Sequence, residues 1–260
     1  MSSDLNALVV LGFYLLIGLF VIGWQIARAG GISVWLLSRA MQFYSVIMCS
    51  QRIHGICPLP EKSGALIVAN HRSPVDPLLI YCASLKKQSG FRMRVIGFLT
   101  AQEYCSDRGI LGWIIRTARS IPVDREHADM ASAKEALRRL RAGEYVGIFP
   151  EGRLNLGSGL LPFNTGVAWL ALRGEAPTYP VFVRNSPQGE SMVASYLKRQ
   201  PADVLFGPAL DLSRWKGCRP TPDVLEELTA YIRQSLADLE HQMPPLSIDS
   251  KPNLRGMAPR

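Results

Sequence analysis

A histidine and an aspartate five residues apart carry the most pointed chemistry in this chain. The segment Asn70-His-Arg-Ser-Pro-Val-Asp76 leaves an apolar run directly and leads into the helical run Pro77 to Leu85. Strand ends that feed helix starts are where α/β folds place their active sites. Histidine, with an ordinary pKa of about 6.5, can accept a proton near neutral pH as a general base. A carboxylate on one ring nitrogen, here that of Asp76, would hold the tautomer and stabilise the imidazolium, leaving the other nitrogen of His71 for substrate. The same spacing also fits an Asp76 that caps a helix, with Pro77 at its first position and His71 as a structural loop residue. The chain has no Gly-x-Ser-x-Gly elbow, and no cysteine sits in a recognisable nucleophile motif. A covalent acyl-enzyme is therefore not suggested, and the nucleophile is expected from the substrate.

A second segment, Gly147-Ile-Phe-Pro-Glu-Gly-Arg153, also runs off an apolar strand, into a glycine-containing turn. It sets the carboxylate of Glu151 beside the flexible Gly152 and the cation Arg153. Backbone N–H groups in such a turn, with a guanidinium close by, can seat an anion or developing negative charge. An ordinary turn with an exposed ion pair would read the same way. Between these segments, Ile121-Pro-Val-Asp-Arg125 brings Arg125 off a further strand end. Its planar fork suits a phosphate, although alone it would be a surface arginine.

Positioning such groups takes a scaffold of strands and helices. Short β-rich runs at Ala65 to Ala69, Arg94 to Ala101, Ser120 to Val123, Tyr145 to Phe149 and Tyr179 to Val183 alternate with helical patterns. This alternation predicts an α/β domain. Met130, Ala133, Leu137 and Leu140 form one apolar stripe, opposite Lys134, Glu135, Arg138 and Arg139. A last amphipathic helix is expected from about Pro222 to His241, followed by a flexible Pro-rich tail over 242–260.

The N-terminus differs in kind. No charged residue occurs from Leu5 to Ala27, a run of about 23 residues and about 34 Å as a helix, enough to cross a hydrocarbon core. A cleavable signal would have a shorter apolar stretch preceded by positive charge, whereas only Asp4 precedes this one. The first basic residues after it are Arg28, Arg39 and Arg52, which predicts a cytoplasmic catalytic domain by the positive-inside rule. After Gly30-Gly31, residues 32–48 repeat Ile32, Trp35, Leu36, Ala40, Phe43 and Ile47 at helical spacing, with Ser38, Arg39, Gln42 and Ser45 as a mildly polar face. This predicts a helix at the membrane surface, with a core helix of the soluble domain as the alternative. The expected organisation is an anchor over 1–31, an amphipathic membrane-associated helix over 32–53, a catalytic domain over 54–241 and the tail. With 260 residues there is no room for two large domains.

Five cysteines without Cys-x-x-Cys or Cys/His ligand spacing indicate neither a disulfide framework nor a metal site. The net charge of +8 lacks the aromatic-basic motif or recognition helix of a nucleic-acid binder. Next to an anchor it points instead to anionic lipid headgroups.

Taken together, residues 54–210 resemble the glycerolipid acyltransferase family of the 1-acylglycerol-3-phosphate acyltransferase type. The family's Asn-His-x-x-x-x-Asp motif matches at Asn70, His71 and Asp76, and its Phe-Pro-Glu-Gly motif at Phe149, Pro150, Glu151 and Gly152. Pro180 matches the proline of the hydrophobic fourth motif. The resemblance implies a mixed sheet surrounded by helices, with His71 as catalytic base and Asp76 as its partner. It implies that Arg125 contacts the acceptor phosphate, and that Asn70, Glu151, Gly152 and Arg153 help to bind substrate. Acyl-CoA or acyl carrier protein would be the co-substrate, membrane lipids the partners, and no cofactor would be required. One departure bears on the acceptor. The common form continues Phe-Pro-Glu-Gly-Thr-Arg, whereas this chain reads Arg153-Leu154 at those positions, as only some branches do. The expected acceptor is 1-acyl-sn-glycerol-3-phosphate, with lyso-ornithine lipid, another lysophospholipid or a non-catalytic lipid-binding role as alternatives.

Overall fold

The computed structural model describes residues 2–55, 57–87, 94–124 and 130–245. Arg125 lies outside the described residues, as does most of the expected tail, 246–260. In chain order the elements are α1 (Ser2–Ala29), α2 (Ile32–Ile47), β1 (Arg52–His54), β2 (Ala65–Ala69), α3 (Asp76–Lys87) and β3 (Ile96–Ala101). There follow α4 (Gln102–Cys105), α5 (Ile110–Thr117), β4 (Ile121–Val123), α6 (Met130–Arg141), β5 (Tyr145–Ile148) and α7 (Gly166–Arg173). The last are β6 (Thr178–Arg184), α8 (Met192–Leu197), β7 (Asp203–Phe206) and α9 (Pro222–Gln242).

The strands form one seven-stranded mixed sheet in the order β1-β7-β6-β2-β5-β3-β4. β6, β2, β5, β3 and β4 run parallel, β7 runs antiparallel to β6, and β1 pairs parallel with β7. β2 is central and every residue of it is buried, because both sheet faces are covered. Ile67 and Ala69 pack with α3, while Leu66 and Val68 face α6, α7 and α9. α9 supplies Leu228, Ile232, Leu236 and Leu239 as its buried stripe, with proline in its first turn.

α1 and α2 stand apart from this plan. Within Asn6–Ala29 an 18-residue stretch has a mean hydropathy of 2.5 and lies wholly outside the protein core, so the helix is long and apolar enough to cross a membrane. Gly30 and Gly31 take φ values of 83° and 129°, which reverse the chain between the helices where a side chain would be strained. The Trp35 indole donates to Gln25 Oε1 across that turn. α2 departs from the expected pattern, for Ser38 and Ser45 point inward and are buried rather than forming an outer polar face. The reason is local: Ser38 Oγ donates to Val34 O and Ser45 Oγ to Gln42 O, so both hydroxyls are satisfied by the helix itself. Tyr81 OH lies 2.6 Å from Ser38 Oγ and ties α2 to α3. The outward side of α2 is largely apolar, with Ile32, Leu36, Phe43, Val46 and Ile47 exposed beside Arg39.

β1 and β7 were not expected from the sequence: β1 is three residues long and carries Arg52 and His54, and β7 is four residues long and opens on Asp203. Asp203, 1% exposed, explains them. Its carboxylate accepts from Arg52 Nε and Nη2 at 2.8 and 2.9 Å and lies 2.7 Å from His54 Nε2, with Arg184 3.5 Å away. Burial alone would raise the Asp203 carboxyl, but the Arg52 and His54 hydrogen bonds and the Arg52 and Arg184 charges outweigh it and hold it below its ordinary value. A depressed native value gives stability that is complete above the ordinary carboxylate value of about 3.9 and lost as pH falls through the lower native one. Asp203→Asn should cost about 2 kcal/mol, below the range for fully buried pairs because Arg52 is 37% exposed. Thermal unfolding followed downward from about pH 4 should show a shallower acid loss in the variant than in the parent.

Candidate active site

The loop that carries His71 begins where β2 ends. Asn70 is fully buried, and its amide brackets one residue of β6: Nδ2 donates to Val183 O at 2.8 Å and Val183 N donates to Oδ1 at 2.7 Å. This side-chain bridge extends the β2–β6 pairing one step past Ala69 and sets the direction in which His71 leaves the sheet. Glu151, also buried, grips His71 by its backbone. Its Oε1 accepts the His71 N–H at 3.0 Å, while Oε2 accepts from Asn155 Nδ2 and Leu161 N at 2.9 and 3.1 Å. Asn155 N completes the clasp by donating to His71 O at 2.7 Å.

Asp76 opens α3, yet its carboxylate turns back over the loop rather than capping the first turn. Oδ2 accepts from Arg72 N and Ser73 N, both at 2.7 Å, and lies 3.1 Å from His71 Nδ1. An ionised carboxylate only accepts, so Nδ1 carries the hydrogen and Nε2 presents its lone pair. The loop is held from outside as well. Ser73 Oγ donates to Pro187 O, Gln188 Nε2 to Arg72 O at 2.8 Å, and Tyr196 OH to Pro74 O at 3.0 Å. Burial first, then the Asp76 charge, push the Tyr196 phenol up to about 12, which keeps it a donor. The Arg72 guanidinium donates to Gly157 O and Gly159 O, away from the reacting edge.

Gly152 supplies conformation rather than a free donor. Its φ is +69°, its N–H donates to Phe149 O, and a Cβ would fall 2.8 Å from Asn164 Nδ2. Asn70 and Glu151, expected to bind substrate, likewise have their polar groups engaged by the loop and its neighbours. Arg153 is exposed and, alone among the six described residues expected to act, joins His71 on the wall of a cavity. That cavity has a volume of about 290 Å³ and runs between α2, α3, α5 and β3. Leu37, Met41, Leu78, Ile114 and Phe98 are typical of its walls, and Arg153 is the only Lys, Arg, Asp or Glu among its described lining residues. Val95 to Ala101 lie along it, about 20 Å of extended strand. Ser73, Asn155, Gln188 and Tyr196 were not anticipated. They act through hydrogen bonds to residues distant in sequence or across a turn, and no linear motif marks them.

The loop thus presents a histidine, held by a carboxylate, to an apolar cavity, in a chain whose sequence has no Gly-x-Ser-x-Gly elbow. The sequence model of the Acyltransferase family matches residues 50–184, and the chain belongs to that family. A 1-acyl-sn-glycerol-3-phosphate acyltransferase of Bacillus subtilis is 27% identical over 185 residues, covering 71% of this chain and 85% of the relative. The protein of that description from Borreliella burgdorferi is 28% identical, covering 70% and 64%. A lyso-ornithine lipid O-acyltransferase of Rhodobacter capsulatus is 26% identical, covering 59% and 60%. The crystal structure of the 1-acyl-sn-glycerophosphate (LPA) acyltransferase of Thermotoga maritima shares the fold, with a TM-score of 0.58 and 17% identity over 94% of this chain and 100% of that one. The chain is thus an acyltransferase of that family.

The double use of Glu151 makes a sharp prediction. Glu151→Gln must turn an NH₂ group toward His71 N–H or toward Asn155 and Leu161, setting donor against donor. The variant should lose about 1–3 kcal/mol of stability in denaturant unfolding, and acyl-transfer activity should fall with it.

Proposed function

We propose that this enzyme moves a fatty acyl group from acyl-CoA or acyl carrier protein to the free hydroxyl of a lysolipid, 1-acyl-sn-glycerol-3-phosphate first among them. The observation that carries the reading is the His71–Asp76 pair at one end of an apolar cavity. His71 Nε2 takes the hydroxyl proton as the oxygen attacks the thioester carbonyl. The tetrahedral intermediate collapses with cleavage of the C–S bond, and the imidazolium returns its proton to the departing thiolate. Asp76 orients the ring and offsets its positive charge. Arg153, the cation in the cavity lining, meets the charge of the acceptor or of the developing oxyanion. The apolar walls suit the acyl chain, and no resident cofactor has a part in these steps.

On this reading α1 anchors the enzyme in the membrane with the catalytic domain on the cytoplasmic side, and the outward face of α2 rests on the bilayer. Acceptor and product then stay within the membrane, which supplies proximity. Lyso-ornithine lipid is the second acceptor, supported by the Rhodobacter relative and by Arg153-Leu154 standing where Thr-Arg is usual.

His71→Ala should lower acyl transfer about a hundred- to ten-thousand-fold while the protein remains folded and vesicle-bound. Turnover at the parental rate would rule the mechanism out. A panel of labelled acceptors in vesicles should show highest kcat/KM for lysophosphatidate. Arg153→Ala should raise KM for that anionic acceptor more than for an uncharged monoacylglycerol.

A further inference from the structure

His71 lies flat on the ring of Phe149, with centroids 4.1 Å apart and planes 16° from parallel. Phe149 in turn stacks on Phe98 of β3, at 5.1 Å and 10°. Room for this three-ring stack comes from Gly147, which pairs with Phe98 in the β3–β5 register. A Cβ on Gly147 would fall 2.4 Å from two carbons of the Phe98 ring, so any other residue there would drive the stack apart. All three rings line the cavity.

The hydrogen bond to Asp76 holds His71 at one in-plane point. It does not by itself fix the plane of the ring, and the direction of Nε2 depends on that plane. A broad flat contact does fix it. The contact also has an electronic consequence: an aromatic face is negative, and a cation within about 6 Å of its centroid is attracted to it. His71 is a cation only after it has taken the acceptor's proton, so the attraction grows as the reaction proceeds and acts on turnover rather than on substrate binding. At 16% side-chain exposure the imidazole is largely shielded from water, which strengthens the effect.

We propose that Phe149, backed by Phe98, is a positioning residue for the base: its face aims Nε2 and stabilises the imidazolium formed when the acceptor's hydroxyl proton moves to that nitrogen. The proposal rests on the acyl-transfer reading above. It is tested with full-length protein in lipid vesicles, comparing Phe149→Leu, which keeps an apolar side chain without a face, with Phe149→Tyr, which keeps the face. Phe149→Leu should lower kcat roughly three- to thirty-fold, with KM for donor and acceptor nearly unchanged. Phe149→Tyr should recover most of the loss, and Phe98→Leu should have a smaller effect than Phe149→Leu. Independently of turnover, the His71 ring protons should be shielded in the NMR spectrum of the parent and of Phe149→Tyr, and should move downfield in Phe149→Leu. An unaltered kcat in Phe149→Leu, a rise confined to KM, or a tyrosine variant as slow as the leucine one would overturn the proposal. An unshielded ring in the parent would overturn the stack whatever the turnover. A shielded ring in a parent that transfers no acyl group would overturn the acyl-transfer reading, and the catalytic half of the proposal with it.

Discussion

Two buried carboxylates, Asp76 and Glu151, shape the His71 loop, because a carboxylate taken out of water needs hydrogen-bond donors. Asp76 draws on the loop between β2 and α3 through Oδ2 alone, while Glu151 divides its oxygens between that loop and the turn after β5. Asp76 collects Arg72 N, Ser73 N and the imidazole on a single oxygen, while Glu151 collects His71 N on one side and Asn155 with Leu161 on the other. The donors cannot be satisfied unless the loop adopts one path, so the requirement to solvate two charges becomes a requirement on where His71 points. Moving either carboxylate would release the histidine without touching it.

The sheet serves the same end. Its five parallel strands bring the ends of β2 and β5 side by side, which is how a loop beginning at residue 70 meets one beginning at residue 149. β6 adds Val183 as the bracket for Asn70, and the chain beyond it returns with Pro187, Gln188 and Tyr196 against the loop's outer side. Stability and orientation therefore share their bonds. The His71–Phe149–Phe98 stack belongs to this economy too, since Gly147 leaves the space that a packed core would ordinarily fill.

The interior strands were legible in the sequence because burial on both faces writes itself as an unbroken apolar run, as in Ala65 to Ala69. β1 and β7 were not, because Arg52, His54 and Asp203 are held there by an ion cluster that only the register Arg52↔Asp203 creates. His71 and Asp76 could be singled out by residue type and place, and Glu151 by its glycine-flanked turn. What the linear pattern hid was the direction of each side chain. Glu151 reads as a candidate for substrate until the structure shows both its oxygens on protein donors, and Asn70 likewise until Val183 is seen across from it. Arg153 alone keeps the exposed, cavity-lining position that its charge suggested.

α2 shows why periodicity could not settle its surroundings. A helix with one polar face separates water from core, but α2 buries Ser38 and Ser45 by satisfying them within itself and leaves Phe43 and its neighbours outside. Its inner face, with Leu37 and Met41, is a wall of the cavity that His71 also lines. Its outer face, joined through Gly30-Gly31 to a helix long and apolar enough to cross a membrane, calls for an apolar neighbour. One helix thus answers to two apolar environments, and on the proposed reading those are the acyl chain on one side and the bilayer on the other. On that reading a lipid acceptor would approach His71 past α2 from an apolar side, and the acyl chain would not pass through water.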